Sequence, residues 1–337
     1  MRRRPTIIAV SALSVFSPRA AEAALPMTFY ASDGQWNDTV LPLTWGLTCL
    51  ALAVIATIAI LVVAGVMSRI RFRPIQDVPL TDSRATGWIA IGVGVSTMVL
   101  LGFIAWNSVV MANIALPPAK PAFTIEVIGH QWWWEFIYHG DDPQERFATA
   151  NEIHIPVGAP VRFEIKTADV IHSFWVPRLI GKTDTIPGQT NMSWIEARNP
   201  GVYRGQCTEY CGQQHAHMAL AVYADPPAAF QAWWKGQLQP AAAPGAKEAR
   251  LGEDLFVQRC GACHAVRGTL AGGSLGPDLT HLMSRSTLAA GTLPNNVGYL
   301  SGWIANPQDL KPGALMPRPA LSGPDLAVIR SFLLSLK

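Results

Sequence analysis

The sequence predicts a mixed multidomain chain: a two-helix transmembrane hairpin, then a β-sandwich or barrel, then a small all-α domain. Two long charge-free apolar runs predict the hairpin. Apolar and polar residues alternating with period two predict strands between about 121 and 224, and helical patterning at both ends of 248–337 predicts the last domain. At 337 residues the chain is long enough for several separate cores. Half of its residues are hydrophobic and 15% are charged, low for a purely soluble protein. The formal charge of +3 is spread along the chain with no basic run, so nothing points to a nucleic-acid partner.

The N-terminus runs from Met-Arg-Arg-Arg through the apolar stretch 7–16 to Ala21-Glu22-Ala23. Charged, apolar, then small is the order of a secretory leader, and a signal peptide is expected over 1–24, against the alternative of an irregular tail. Segment 25–119 then holds the hairpin. No charge occurs between Asp38 and Arg69, and none between Arg84 and Lys120. Each run exceeds the roughly 20 residues that cross a hydrocarbon core, so spans are expected over about 43–67 and 87–111. A buried soluble helix could be as apolar but rarely so long. The loop between the spans carries Arg69, Arg71, Arg73 and Arg84 against Asp77 and Asp82. That excess puts the loop in the cytoplasm and everything after Lys120 on the periplasmic side of a bacterial inner membrane.

In the next domain, 120–238, Val161, Phe163 and Ile165 alternate with Arg162, Glu164 and Lys166. Residues 123–127, 152–157, 193–196 and 219–223 read similarly, and a short helix is expected around 230–238. The stretch 239–247, rich in Pro and Ala, reads as a linker to a final domain over 248–337.

Cysteine usage carries the chemistry. Four of the five cysteines form two tight pairs, Cys207/Cys211 and Cys260/Cys263, while Cys49 stands alone in an apolar run. Pairs so close would staple little chain together as disulfides. Cys207, Cys211, His215 and Met218 fall within twelve residues. Thiolate, imidazole and thioether together suit copper. A mononuclear blue-copper site needs one cysteine, so the second thiolate points to two copper ions bridged by two sulfurs. Spreading one unpaired electron over both ions leaves each bond little changed on redox, which suits an electron relay. His172 is expected to supply the second imidazole from the edge of the barrel, after the strand 161–166. Zinc is the alternative, but Met218 argues against it. A Cys207–Cys211 disulfide would leave the His and Met spacing unexplained. His217 reads as a neighbouring or surface residue.

With these residues, the stretch from about 41 to 224 resembles cytochrome c oxidase subunit II. The matching motifs are Gly129-His-Gln-Trp-Trp-Trp134, Asp169-Val-Ile-His172-Ser, Lys182-Thr-Asp-Thr-Ile-Pro-Gly188 and the cysteine loop. The resemblance implies a cupredoxin-like Greek-key β-barrel with a dinuclear CuA centre, and Glu209 contributing its backbone carbonyl as a further copper ligand. It also implies that the Glu209 side chain helps hold magnesium at the contact with subunit I. Subunit I, subunit III and a periplasmic donor such as cytochrome c are the implied partners. Trp132 matches the family's exposed tryptophan through which electrons enter; alternation turns Trp133 away from its two neighbours. Three positions depart from the family. Trp133 stands where tyrosine is usual and Gln189 where arginine is usual, and the second span lacks the glutamate that many relatives place near a proton path.

Cys260-Gly-Ala-Cys263-His264 is the attachment pattern of a c-type haem, with two thioether-forming thiols and an axial imidazole. Met316, in Leu-Met-Pro, is the expected second axial ligand, a thioether that raises the potential as an electron carrier needs; Met283 and His281 compete with it. Gly276-Pro277-Asp278-Leu279 and a C-terminal helix over 324–336 extend a resemblance to small class I cytochromes c. From 120 to 235 there are nine Lys/Arg against twelve Asp/Glu, and from 248 to 337 eight against six. The opposite signs predict that the last domain docks on its neighbour.

The expected function is electron entry into a proton-translocating terminal oxidase that reduces oxygen to water, with no catalytic residue on this chain. The alternatives are the donor subunit of a CuA-containing nitric oxide reductase and a free-standing membrane-anchored shuttle.

Overall fold

The computed structural model describes residues 27–67 and 83–337. The expected leader over 1–24 and the charged loop over 68–82 lie outside the described residues. Helices α1 (Gln35–Met67) and α2 (Ser83–Ile114) pair as the apolar runs predict. At 33 and 32 residues they are longer than the expected spans. A rise of 1.5 Å per residue makes each roughly 50 Å long, against about 30 Å of hydrocarbon. Much of the surplus meets the rest of the chain: Asn37 and Leu43 near the start of α1, and Val110 and Ile114 at the end of α2, are buried. Between them, Leu52, Ile55, Ile58 and Leu61 of α1 and Ile89, Leu100 and Ile104 of α2 face outward, as lipid-facing residues do. Both helices are long and apolar enough to cross a membrane.

The β domain sits on the hairpin end remote from 68–82. Arg178 pairs with Asp33 and Arg198 with Asp38, while the Trp194 indole donates to the Ile114 carbonyl at 2.8 Å. Its first sheet has strands β1 (Thr124–His130), β2 (Trp133–His139), β3 (Arg146–Ala150), β5 (Val161–Thr167) and β8 (Asn191–Ile195), ordered β3-β2-β1-β5-β8. The second has β4 (Glu152–Pro156), β6 (His172–Val176), β7 (Ile180–Thr185), β9 (Gly201–Cys207) and β10 (Ala219–Asp225), ordered β4-β10-β9-β6-β7. Parallel pairs β1·β5 and β4·β10 close the connections over otherwise antiparallel neighbours, giving a cupredoxin-like fold. Val161, Phe163 and Ile165 point inward as their alternation predicts, joining Trp134, Phe136 and Phe174 in a fully buried core. Strands β2, β3, β6, β7 and β9 were not legible from alternation. β2 mixes Trp133 and Ile137 with Glu135 and His139 on its outer face, while β7 and β9 carry glycines and charges that break the period.

Helix α3 (Pro227–Leu238) closes the sandwich with Phe230 and Trp234, the Phe230 ring stacked on Phe123 at 5.4 Å. Residues 239–246 form no regular element, yet they are held: Ala241 N donates to Arg267 O at 2.8 Å, and His281 Nε2 lies 3.0 Å from Gln239 O. The linker is therefore a strap bonded along the last domain.

That domain comprises α4 (Lys247–Arg259), a two-residue ladder of β11 (Thr287–Leu288) and β12 (Leu293–Pro294), α5 (Val297–Ala305), α6 (Pro307–Leu310) and α7 (Gly323–Leu333). Ser322 caps α7 by accepting from Asp325 N at 3.2 Å, with Pro324 in the first turn, where a missing N–H is harmless. α4 crosses α7 at Gly252, where an added Cβ would collide with the Val328 carbonyl, and Phe256 meets Phe332 at 5.4 Å. Replacing Gly252 by Ala should force the helices apart and destabilise this domain by about 1–3 kcal/mol. Hydrogen exchange of the α4 amides in the full chain measures the loss.

Candidate metal centre and haem segment

The ladder β10-β9-β6 brings the copper candidates to one end of the second sheet. His172 opens β6, where its N–H donates to Thr185 Oγ1 at 3.0 Å. It thus lies on its own strand, in the sheet opposite the 161–167 strand that it follows in sequence. Cys207 ends β9 facing Phe174 of β6, and its amide donates to Met218 O at 2.9 Å, just before β10. The intervening loop returns through Cys211 and a 3-10 turn over His215–His217.

All six expected copper-ligating positions converge. Cys207 and Cys211 are buried free thiols with sulfurs 3.8 Å apart. His172 Nδ1 is 4.0 Å from Cys207 Sγ, and His215 Nδ1 is 3.6 Å from Cys211 Sγ. The Glu209 carbonyl lies 3.3 Å from Cys207 Sγ, and Met218 Sδ 4.0 Å from Cys211 Sγ. Each sulfur thus has one imidazole and one weaker donor at its side. Two donors on one tetrahedral first-row ion, with bonds of roughly 2.0–2.3 Å, stand roughly 3.3–3.8 Å apart. The two sulfurs, His215 and the Glu209 carbonyl fall in that range, and His172 and Met218, at 4.0 Å, stand just beyond it. A single zinc would use four donors, and six are gathered here. His172, Cys207 and Cys211 alone form a buried cluster able to hold a metal.

The electrostatics favour thiolate. A hydrogen bond from Cys211, with further ones from His172 and the Ser173 and Glu209 backbone, holds the Cys207 thiol far below its ordinary range; the same pairing pushes Cys211 up. Asp169 escaped the sequence reading as a working residue, although its i, i+3 spacing to His172 was visible. Its Oδ1 lies 2.8 Å from His172 Nε2, which leaves Nδ1 turned to the sulfurs, and its Oδ2 accepts from Gln131 N at 2.6 Å. Burial would raise the Asp169 carboxyl, but the bonds from His172, Gln131 N and Val170 N outweigh it and hold it low. Against His172, burial alone would lower the imidazole, and Asp169 and Cys207 together raise it. Gly129 lets the ring lie flat on β1, since a Cβ there would stand 2.7 Å from His172 Cδ2.

Trp132 differs from the expectation of an exposed gate. It is 8% exposed, with its indole N–H on Cys211 O at 3.0 Å. Its side chain belongs to the β-domain core and packs on the Cys211–Gly212 loop, while the last domain takes the Trp132 carbonyl with Lys311. Trp133 turns outward onto His130, as alternation predicts, and Trp134 is fully buried. His217 is exposed, its Nδ1 2.6 Å from Gln214 Oε1. Glu209 is half-buried and Lys182 exposed.

In the last domain, Cys263 N and His264 N both donate to Cys260 O at 3.0 Å, closing a turn that groups the two thiols with the imidazole. His264 Nδ1 lies 2.8 Å from Pro277 O, which fixes the tautomer with Nε2 available to iron, and burial keeps the ring neutral. Leu270 and Leu275, on the loop after His264, are 92% and 78% exposed, and Leu315 beside Met316 is also exposed. Such uncovered apolar side chains fit a large flat apolar group. Met316 is half-buried, its carbonyl held by Gln308 Nε2 at 2.9 Å. Both His281 nitrogens face backbone oxygens, of Lys337 at 2.7 Å and Gln239 at 3.0 Å, and Met283 packs on the apolar cluster. Replacing Asp169 by Ala frees the His172 ring and should weaken copper binding about 10–100-fold, measurable by competition with a copper chelator.

Residues 123–224 match the family described as "Cytochrome C oxidase subunit II, periplasmic domain", and residues 249–337 match "Cytochrome c". The chain is 42% identical over 215 residues to cytochrome c oxidase subunit 2 of Alkalihalophilus pseudofirmus, covering 63% of this chain and 61% of that protein. It is 32% identical over 231 residues to the subunit 2 of Bacillus sp. PS3, covering 65% and 63%. These matches span under two thirds of either relative's length. The crystal structure of the periplasmic domain of subunit II of cytochrome oxidase from Bradyrhizobium japonicum is 32% identical, covering 35% of this chain and 95% of that one, with a TM-score of 0.33. The chain therefore joins, behind two apolar helices, a domain of the cytochrome c oxidase subunit II family, which implies CuA, to one of the cytochrome c family, which implies haem c.

Proposed function

We propose that this chain is the electron-entry subunit of a respiratory terminal oxidase in a bacterial inner membrane, with both redox domains on the periplasmic side. One observation carries the reading: two thiols, two imidazoles, a thioether and a carbonyl converge in a buried space, directly beneath a domain bearing the haem-attachment turn. When bound, haem c and dinuclear copper supply one-electron chemistry, carrying electrons from cytochrome c or another donor towards the haem of a subunit I that reduces oxygen and translocates protons.

The chain's own residues do the holding. Cys260 and Cys263 would tether a haem, with His264 and Met316 as the side chains that would hold its iron. Cys207, Cys211, His172, His215, Met218 and the Glu209 carbonyl would together hold the copper. Asp169 orients His172 by holding Nε2, which turns Nδ1 toward the sulfurs. Burial of both thiols excludes water and external oxidants from the sulfurs. Trp132, hydrogen-bonded to the Cys211 carbonyl, links the docked domain to the copper loop. The Glu209 carboxyl and Lys182, at the surface of the same domain end, face subunit I, where the carboxyl helps hold magnesium; subunit III completes the complex.

The complex purified from native membranes should consume oxygen and show covalent haem c with a mixed-valence copper spectrum. Consumption of nitric oxide in place of oxygen would assign the chain to a reductase of that gas, and neither activity would leave a free-standing shuttle. Replacing Cys207 by Ser should abolish the copper signal and leave haem c attached. A retained signal overturns the ligand set.

A further inference from the structure

The contact between the two redox domains is made by a buried lysine. Lys311 is 3% exposed and sits on the loop between α6 and Met316. Its ammonium donates to three backbone carbonyls: Trp132 O at 2.8 Å, His217 O at 2.7 Å and Ala289 O at 3.1 Å. Two of these belong to the copper domain and one to the lysine's own domain. An ammonium has three protons and no acceptor, so the cage uses every donor once. No carboxylate pairs with it among the described residues. Burial accordingly depresses its pKa to about 7.

The contacts around it share one direction. Gln214 Nε2 donates to Pro312 O at 2.6 Å, and Ala219 N to Ala290 O at 3.0 Å. Glu152, 4% exposed, accepts from Ser286 N at 2.8 Å and Thr287 N at 3.0 Å. Gln214, His217 and Ala219 each adjoin a copper candidate, His215 or Met218, so the loop that shapes the metal site is also the docking surface. Lys311 is five residues from Met316, and through Trp132 it reaches the indole that bonds Cys211 O.

We propose that Lys311 is the positioning residue that locks the haem-bearing domain in one register over Trp132 and the copper loop. The inference rests on the electron-relay reading above. Directional bonds fix the register where net charge would only attract, and a caged ammonium is poorly reached by salt. Docking in this register closes the Trp132 face to outside donors, so electrons enter through the last domain. With both groups bound, the step would pass one electron from haem to copper, and no bond would form or break.

The test uses the full-length chain in its complex. In Lys311→Met, which keeps the length and removes the donors, amide exchange at Ala219, Ser286 and Thr287 should quicken about tenfold as the register loosens. The haem-to-copper rate constant after rapid reduction should fall by a similar factor, with both centres still loaded. Lys311→Arg should restore little, because a planar fork does not match three convergent carbonyls. Unchanged exchange and unchanged transfer in Lys311→Met would overturn the proposal. Should that variant fail to accumulate, the wild-type chain carries the test: exchange at the same amides should be insensitive to salt, and salt-induced loss of protection overturns it. Absence of any haem-to-copper transfer in the wild type would count instead against the relay function itself.

Discussion

Two thiol sulfurs held 3.8 Å apart at one end of the β-sandwich, where β9 turns back into β10, set the terms for everything else in the chain. One sulfur ends a strand and the other lies on the loop that returns to the next. Their separation therefore depends on the β9–β10 ladder, pinned by the Cys207 amide on the Met218 carbonyl. Burying two thiols so close leaves one of them strongly acidic, because the neighbouring S–H stabilises the thiolate. A buried pair of this kind is pre-shaped for metal.

Around that pair the support is arranged in layers. Asp169 and Gly129 place the His172 ring, one by hydrogen bonds and the other by leaving room for it. The hairpin is joined to the β domain through Arg178, Arg198 and Trp194, which fixes the domain at one end of the helix pair. The strap over 239–246 is bonded along the C-terminal domain, so that domain is no freely tethered bead. The opposite net charges of the two domains predict attraction, but the contact itself is built from carbonyls, amides and two buried charged side chains, Lys311 and Glu152. Long-range charge can bring domains together; hydrogen bonds decide how they sit.

Much of the candidate site was legible because its donors are chemically unusual and close in sequence. Cys207, Cys211, His215 and Met218 lie on one loop, and Cys260, Cys263 and His264 on one turn. His172, thirty-five residues before Cys207, could be placed through a motif but not through the strand that carries it. Alternation found β1, β4, β5, β8 and β10, most clearly β5, where Arg162, Glu164 and Lys166 line one face. It failed at β2, where Trp133 and Ile137 share the outer face with Glu135 and His139, and at β9, where glycines interrupt the pattern. The short α5 and α6 also escaped, since helices of nine and four residues hold too few turns for a periodic signal.

By itself the sequence determined the two apolar helices, the alternating strands, the copper-type donor set and the haem-attachment turn. Each of these is written in local composition or spacing, and each chemistry follows from residue type. Tertiary structure alone decided that Trp132 is covered, that Asp169 serves His172, and that Lys311 spans the two redox domains. Those depend on side chains meeting backbone groups 38 to 179 residues away, as the Asp169 carboxylate accepts from Gln131 N and the Lys311 ammonium donates to Trp132 O. A lone lysine between Leu and Pro carries no periodicity, and backbone carbonyls leave no mark in the sequence. The cysteine loop therefore announced its candidate donors but not the domain that sits on it.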